Sequence, residues 1–202
     1  MIGSFGRRNT FVLDPLVIIL KKMGLSPNAL SIIGLIMCIA SGFCFAIGNF
    51  AGGSLSLIVA GLLDILDGKL ARDSRLPTPD SRLYFGAFLD SSLDRYGDSF
   101  VFFGIIYYYR ENPILVIVGL LALMGAYLTS YTKARAEKWI EMNVGILERP
   151  ERILLLIIGG LTRMDIILWI LAIFSNITAI QRIVYVMRNA DCGIKKSLTK
   201  IN

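Results

Sequence analysis

Long apolar stretches alternate with short polar breaks along the chain. Six of them, at about 29–48, 52–72, 85–109, 113–135, 150–162 and 165–187, predict helices that cross a membrane, since a span needs roughly 20 apolar residues and fewer where a helix extends into the interface. The fifth is the shortest: its core "ILLLIIGGL" is loosened by Gly159 and Gly160, and if it does not cross, the C-terminus changes sides. Ahead of the first span, "LDPLVIILKKMGLSP" repeats Leu13, Leu16, Leu20 and Met23 at helical spacing, with Lys21 and Lys22 on the other side. Asp14 is a suitable N-cap, Pro15 a suitable first helical residue and Gly24 a suitable stop. Residues 11–24 therefore predict an amphipathic helix lying on the membrane surface. The expected architecture is an all-α integral membrane protein, one domain over 1–202. Its six transmembrane helices form a core over 27–188, preceded by that N-terminal amphipathic interfacial helix.

Composition agrees. The chain has 202 residues, 55% of them hydrophobic, and a mean hydropathy of +0.65, values foreign to a soluble domain of this length. No cleavable signal pattern is expected, because the first long apolar run is too long for a signal core. Cys38, Cys44 and Cys192 are scattered and imply no disulfide framework. Histidine is absent, which excludes a His-ligated zinc site and leaves acid–base and metal chemistry to carboxylates.

Charge gives a sidedness. With the N-terminus inside, Arg110 and Arg163 are the only outer cations among the 21 Lys and Arg residues. That asymmetry predicts a cytoplasmic N-terminus in a multi-pass protein of the cell membrane. Tyr107, Tyr108 and Tyr109 then read as an interfacial aromatic belt at the outer end of the third span. The net charge of +6 suits anionic membrane lipid or a phosphorylated substrate, and no nucleic-acid motif is present.

Against this apolar background stand four aspartates. Asp64 and Asp67 share one face of the second predicted span, and Asp90 and Asp94 share one face of the third. Carboxylates brought together at low dielectric repel strongly; they must be protonated, paired with cations or bound to metal. Ionisable groups inside spans mark functional sites. All-oxygen ligation suits Mg²⁺ or Mn²⁺, and two such ions suit displacement at phosphorus. The spacing equally allows a cation transporter or a proton relay, and rim carboxylates paired with Arg72, Arg82 and Arg95 are the plainer reading. Gly68, Ala71 and Gly86 lie beside the aspartates, either to admit a bulky substrate or for close helix packing.

The order Asp64-x-x-Asp67-Gly68-x-x-Ala71-Arg72 followed by Gly86-x-x-x-Asp90-x-x-x-Asp94 resembles the signature of the CDP-alcohol phosphotransferases, with eight specified positions on two helices. The resemblance implies a six-span, homodimeric membrane enzyme that transfers a substituted phosphate from a CDP-alcohol to a second alcohol and releases CMP. It implies that Asp64, Asp67, Asp90 and Asp94 hold two metal ions, Mg²⁺ or Mn²⁺. Asp94 would also be the catalytic base, and Gly68 and Arg72 would contact the CDP portion, with Ala71 and Gly86 in the same motif. Thirteen residues separate Arg72 from Gly86, more than the family pattern has. Thr78, six places after Arg72, or Ser81 would then help to hold the donor.

"LSPNALSIIG", "SYTKARAE" and the paired "ER" segments extend the likeness over most of residues 11–188 to the branch that makes phosphatidylinositol phosphate. The resemblance then implies CDP-diacylglycerol, or an archaeal ether-lipid analogue, as donor, with Pro27 and Asn28 against it. Inositol 1-phosphate would be the acceptor, its phosphate bound by Lys133, Arg152 and Arg182. These belong to an inner-face set with Arg135 and Arg149 that ordinary positive-inside charge also explains. Glycerol 3-phosphate as acceptor, a soluble CDP-inositol donor as in di-myo-inositol phosphate synthesis, and a divalent-cation transporter stand as alternatives.

Overall fold

A computed structural model describes residues 14–22, 24–73 and 80–198. Its described elements are helices: α1 (Asp14–Lys22), α2 (Pro27–Ala46), α3 (Phe50–Asp73), α4 (Asp80–Tyr108), α5 (Pro113–Ala136), α6 (Arg149–Leu161) and α7 (Met164–Leu198). Local chemistry sets several starts. The Ser26 hydroxyl accepts from Ala29 N at 3.2 Å, and Pro27 follows as the first residue of α2. Asn112 Oδ1 accepts from Ile114 N and Leu115 N at the start of α5, where Pro113 follows. Glu148 N donates to Glu151 Oε2 ahead of α6.

The six longer helices close into a ring. α2 packs on α3, α3 on α6, α6 on α7, α7 on α5, α5 on α4 and α4 again on α2. The core inside it joins Phe45 of α2, Leu57 of α3, Phe102 of α4, Ala122 of α5, Leu156 of α6 and Leu168 of α7. Outward, Ile36, Phe43, Leu55, Ile114, Ile117 and Ile173 stay exposed, as expected of helices bathed in lipid. Polar ties cross between neighbours where backbone carbonyls can accept. Ser41 Oγ donates to Gly53 O at 2.9 Å, Ser54 Oγ to Ile157 O at 3.1 Å and Asn176 Nδ2 to Leu121 O at 3.0 Å.

Among the described residues, four helices are long and apolar enough to cross a membrane: Pro27–Ala46, Phe50–Ala71, Pro113–Ala136 and Met164–Asn189. The other two of the six expected spans differ for separate reasons. α4 has 29 residues, length to spare, but carries Asp90, Asp94, Arg95 and Asp98. α6 has 13 residues, about 20 Å of helix, against a hydrocarbon core of about 30 Å. α1 lies where an interfacial helix was expected, but its inward residues are Val17 and Leu20, packed with Leu30, Leu63, Leu66 and Leu70. Leu16 is exposed, and Leu13 and Met23 lie outside the described residues. Tyr108, expected in an interfacial belt, packs on Phe50: the rings meet edge-on with centroids 4.7 Å apart.

The spacing of α2 and α4 is set by glycine. A Cβ on Gly104 would collide with the Gly42 carbonyl, and one on Gly42 with the Phe100 carbonyl, so the two backbones touch. Gly104→Leu is expected to lower stability by ~1–3 kcal/mol or more through overpacking, read as a lower melting temperature in detergent. An unchanged melting temperature would mean that the two helices separate freely.

Candidate functional site

The charged residues gather where the C-terminal part of α3, the middle of α4 and the start of α6 meet. Asp64 of α3 and Asp90 and Asp94 of α4 each offer a carboxylate oxygen, and the three oxygens lie within 4.8 Å of one another. Asp67 lines the same cleft but is turned toward α2, where Ser31 Oγ donates to its Oδ2 at 2.7 Å. The two same-face pairs thus converge, three as a tight group and the fourth beside them. An all-oxygen donor set of this kind fits a hard divalent cation, so the residues present suit the metal that the motif implies.

Arg149 sits among the carboxylates. The first residue of α6, it donates from Nη1 to Asp64 Oδ1 at 2.8 Å and lies with Nη2 2.8 Å from Asp94 Oδ1. Its Nε is 3.9 Å from Asp98 Oδ1, and that buried nitrogen has no hydrogen-bond partner among the described residues. The guanidinium, always charged, offsets the mutual repulsion of the carboxylates around it. Arg95 adds a looser contact, Nη1 to Asp94 Oδ2 at 3.6 Å, while the same nitrogen donates to Ser91 O at 2.6 Å.

A second cleft, about 310 Å³, opens beside the first and is lined by Asp94, Thr129, Lys133, Arg149, Arg152 and Arg182 among others. The three cations expected to bind an acceptor phosphate therefore share one cleft. All three are held by internal partners. Arg152 donates from Nη2 to Asp98 Oδ2 at 2.7 Å and from Nη1 to Thr129 Oγ1 at 3.2 Å. Arg182 donates to Val144 O at 2.8 Å, to Thr129 O at 2.5 Å and to Glu148 Oε1 at 2.8 Å. Lys133 Nζ reaches the same Glu148 oxygen at 3.3 Å. Gly145 passes over Arg182 with φ 147°, and a Cβ there would crowd both Thr178 and the Arg182 guanidinium.

The residues expected to meet the donor are placed less completely. Pro27 and Asn28 open α2, and a Cβ on Gly86 would come to 3.3 Å from Asn28 Oδ1, which brings the start of α2 against α4. Gly68 is half-buried and Ala71 exposed on α3. Thr78 lies outside the described residues, as do the side chains of Arg72, Ser81 and Arg82. The sequence reading missed Asp98, Ser31 and Glu148. Asp98 had a visible signal, because it stands four residues after Asp94 on the same helix face. Ser31 and Glu148 had none, since their partners are remote in the chain.

A profile of the CDP-alcohol phosphatidyltransferase family matches residues 24–187. The chain is 35% identical over 182 residues to an archaetidylinositol phosphate synthase of Methanothermobacter thermautotrophicus, covering 86% of this chain and 88% of that one. Among solved structures it is similar to the phosphatidylinositol phosphate synthase of Mycobacterium tuberculosis with CDP-DAG bound. That match has TM-score 0.73 and 31% identity, and covers 84% of this chain and 90% of the other. The same enzyme in complex with manganese and citrate matches with TM-score 0.76 and 31% identity, covering 86% and 88%.

Proposed function

The chain belongs to the CDP-alcohol phosphatidyltransferase family and is a transferase, and from this premise we propose that it moves a lipid phosphate from a CDP-activated lipid to inositol 1-phosphate, releasing CMP. The donor is CDP-diacylglycerol or its archaeal ether-lipid analogue. The observation that carries the reading is the adjacency of the two clefts, one of carboxylates and one of cations, with Asp94 and Arg149 lining both. A diphosphate and a phosphorylated alcohol can lie side by side there with the reacting hydroxyl between them.

Asp64, Asp67, Asp90 and Asp94 would hold the divalent ions, two of Mg²⁺ or Mn²⁺, which when bound neutralise the donor diphosphate and the charge on departing CMP. Asp94 accepts the proton of the inositol hydroxyl as that oxygen bonds to the lipid-bearing phosphorus and the bond to CMP breaks. The chain has no histidine, and a carboxylate beside the metal takes the place of the base. Lys133, Arg152 and Arg182 orient the acceptor through its phosphate, for which fixed guanidinium groups are well suited. Pro27, Asn28, Gly68, Ala71, Arg72, Thr78 and Gly86 are assigned to the CDP-lipid on the strength of the motif.

In the membrane, α4 and the short α6 are the two remaining passes of the six, with Asp94, Asp98 and Arg152 turned inside the ring. α1 lies along the interface, and the tails of the donor remain in lipid beside the ring. Arg110 and Arg163 lie at the end remote from the aspartates, which supports an active site facing the cytoplasm of a cell-membrane protein. The homodimer rests on the family resemblance.

The test is CMP release by purified protein given Mg²⁺ and CDP-diacylglycerol with inositol 1-phosphate, glycerol 3-phosphate, serine or free inositol. Release with inositol 1-phosphate, abolished by EDTA, is the expected result. Preference for glycerol 3-phosphate would reassign the acceptor, and activity that survives EDTA would remove the metal.

A further inference from the structure

Arg149 holds a position that neither a purely structural cation nor a simple phosphate ligand would take. Its guanidinium occupies one oxygen of Asp64 and one of Asp94, two of the three carboxylates grouped closely enough to hold a divalent ion. It also lines the neighbouring cleft of Lys133, Arg152 and Arg182. Those three are tied to Glu148, Asp98, Thr129 and backbone carbonyls, which fixes them in the second cleft. Arg149 alone of the four is paired with members of that metal-competent group. Nor are its needs met in this pose, since Nε is buried without a hydrogen-bond partner among the described residues. A buried donor left in that way calls for an explanation.

We infer that Arg149 couples the two clefts: its guanidinium competes with a divalent ion for the oxygens of Asp64 and Asp94, and turns to the acceptor's phosphate when the ion takes them. The inference rests on the metal-site reading above. An ion at those oxygens removes the partners of Nη1 and Nη2 and repels the guanidinium at short range. Because Arg149 opens α6, its long side chain can swing between the clefts with the helix backbone in place. In the second cleft a phosphate presents paired oxygens to the guanidinium fork. By reciprocity, if the metal raises the affinity for the phosphorylated acceptor, the acceptor raises the affinity for the metal by the same factor. With no acceptor present, Arg149 holds metal binding down.

The experiment measures Mn²⁺ binding to the purified full chain in detergent, from the electron paramagnetic resonance signal of free Mn²⁺, with and without inositol 1-phosphate. Wild-type protein is expected to bind Mn²⁺ ~5-fold or more tightly when inositol 1-phosphate is saturating. Arg149→Gln is expected to bind Mn²⁺ ~5-fold or more tightly than wild type without the acceptor, and to lose the acceptor's effect. Arg149→Lys, which keeps a cation, should stay close to wild type without the acceptor and so serves as the folding control. Weaker Mn²⁺ binding by Arg149→Gln, with Arg149→Lys normal, would make Arg149 a scaffold for the carboxylates and overturn the coupling. So would an acceptor effect that survives in Arg149→Gln. If wild-type protein binds no more Mn²⁺ than Asp90→Asn, the metal-site reading falls and the coupling with it, an outcome distinct from the other two.

Discussion

Asp94→Asn is expected to lower kcat for CMP release by ~10²–10⁴-fold, the usual share of a positioned general base, with the melting temperature little changed. Asp94 is the aspartate that lines both clefts, so it is placed to reach a hydroxyl brought in by the acceptor while it faces the donor diphosphate. Its side chain is 16% exposed, and both oxygens face cations, Oδ1 toward Arg149 and Oδ2 toward Arg95. Asparagine keeps the shape and one acceptor oxygen but can neither take a proton nor carry the charge that helps to hold a divalent ion. Asp90→Asn separates the two roles: it should weaken Mn²⁺ binding, and excess metal should recover part of its activity. Excess metal should not recover Asp94→Asn. Activity of Asp94→Asn within tenfold of wild type would assign the base elsewhere.

How much of this was legible beforehand follows from where each signal lies. Asp64, Asp67, Asp90 and Asp94 stand out because carboxylates at helical spacing are conspicuous in apolar sequence, and the structure brings all four to one cleft. The starts predicted near 29 and at 113 fall close to the observed ones because the caps at Ser26–Pro27 and Asn112–Pro113 act locally. Pairings between distant residues were not readable. Arg149 meets Asp64 across 85 residues of chain, and Arg152 meets Asp98 across 54; no local pattern encodes either. The same blindness hid the division of labour among the basic residues, which in sequence are interchangeable positive charges. It also hid the inward face of α1, since Val17 is buried by the leucines of α2 and α3 and the periodicity of α1 alone favours Leu16 equally. α7 runs to Leu198, past the apolar stretch that predicted its end near 187, because a helix needs no lipid to continue.

Arg152→Ala is expected to cost ~3–5 kcal/mol of stability, the range for removing one partner of a buried pair. The Arg152 and Asp98 side chains are 2% and 12% exposed and meet at 2.7 Å, so truncating the arginine leaves that carboxylate only the distant Arg149 Nε, 3.9 Å away, and leaves Thr129 Oγ1 without its donor. A loss of turnover in that variant would say nothing by itself about binding an acceptor. The double variant Arg152→Ala with Asp98→Asn separates the two, because neutralising that carboxylate should return a large part of the lost stability and reveal a coupling between the sites. If Arg152 also binds the acceptor phosphate, the double variant regains its melting temperature while KM for inositol 1-phosphate stays raised and KM for the CDP-lipid stays near wild type. If KM recovers together with stability, Arg152 is a strut and the phosphate belongs to Lys133 and Arg182. Arg182→Ala makes the comparison: its carbonyl partners, Val144 O and Thr129 O, are neutral, and its one charged partner, Glu148, keeps Lys133. A smaller loss of stability is therefore expected there, with a larger share of the defect in the acceptor's KM.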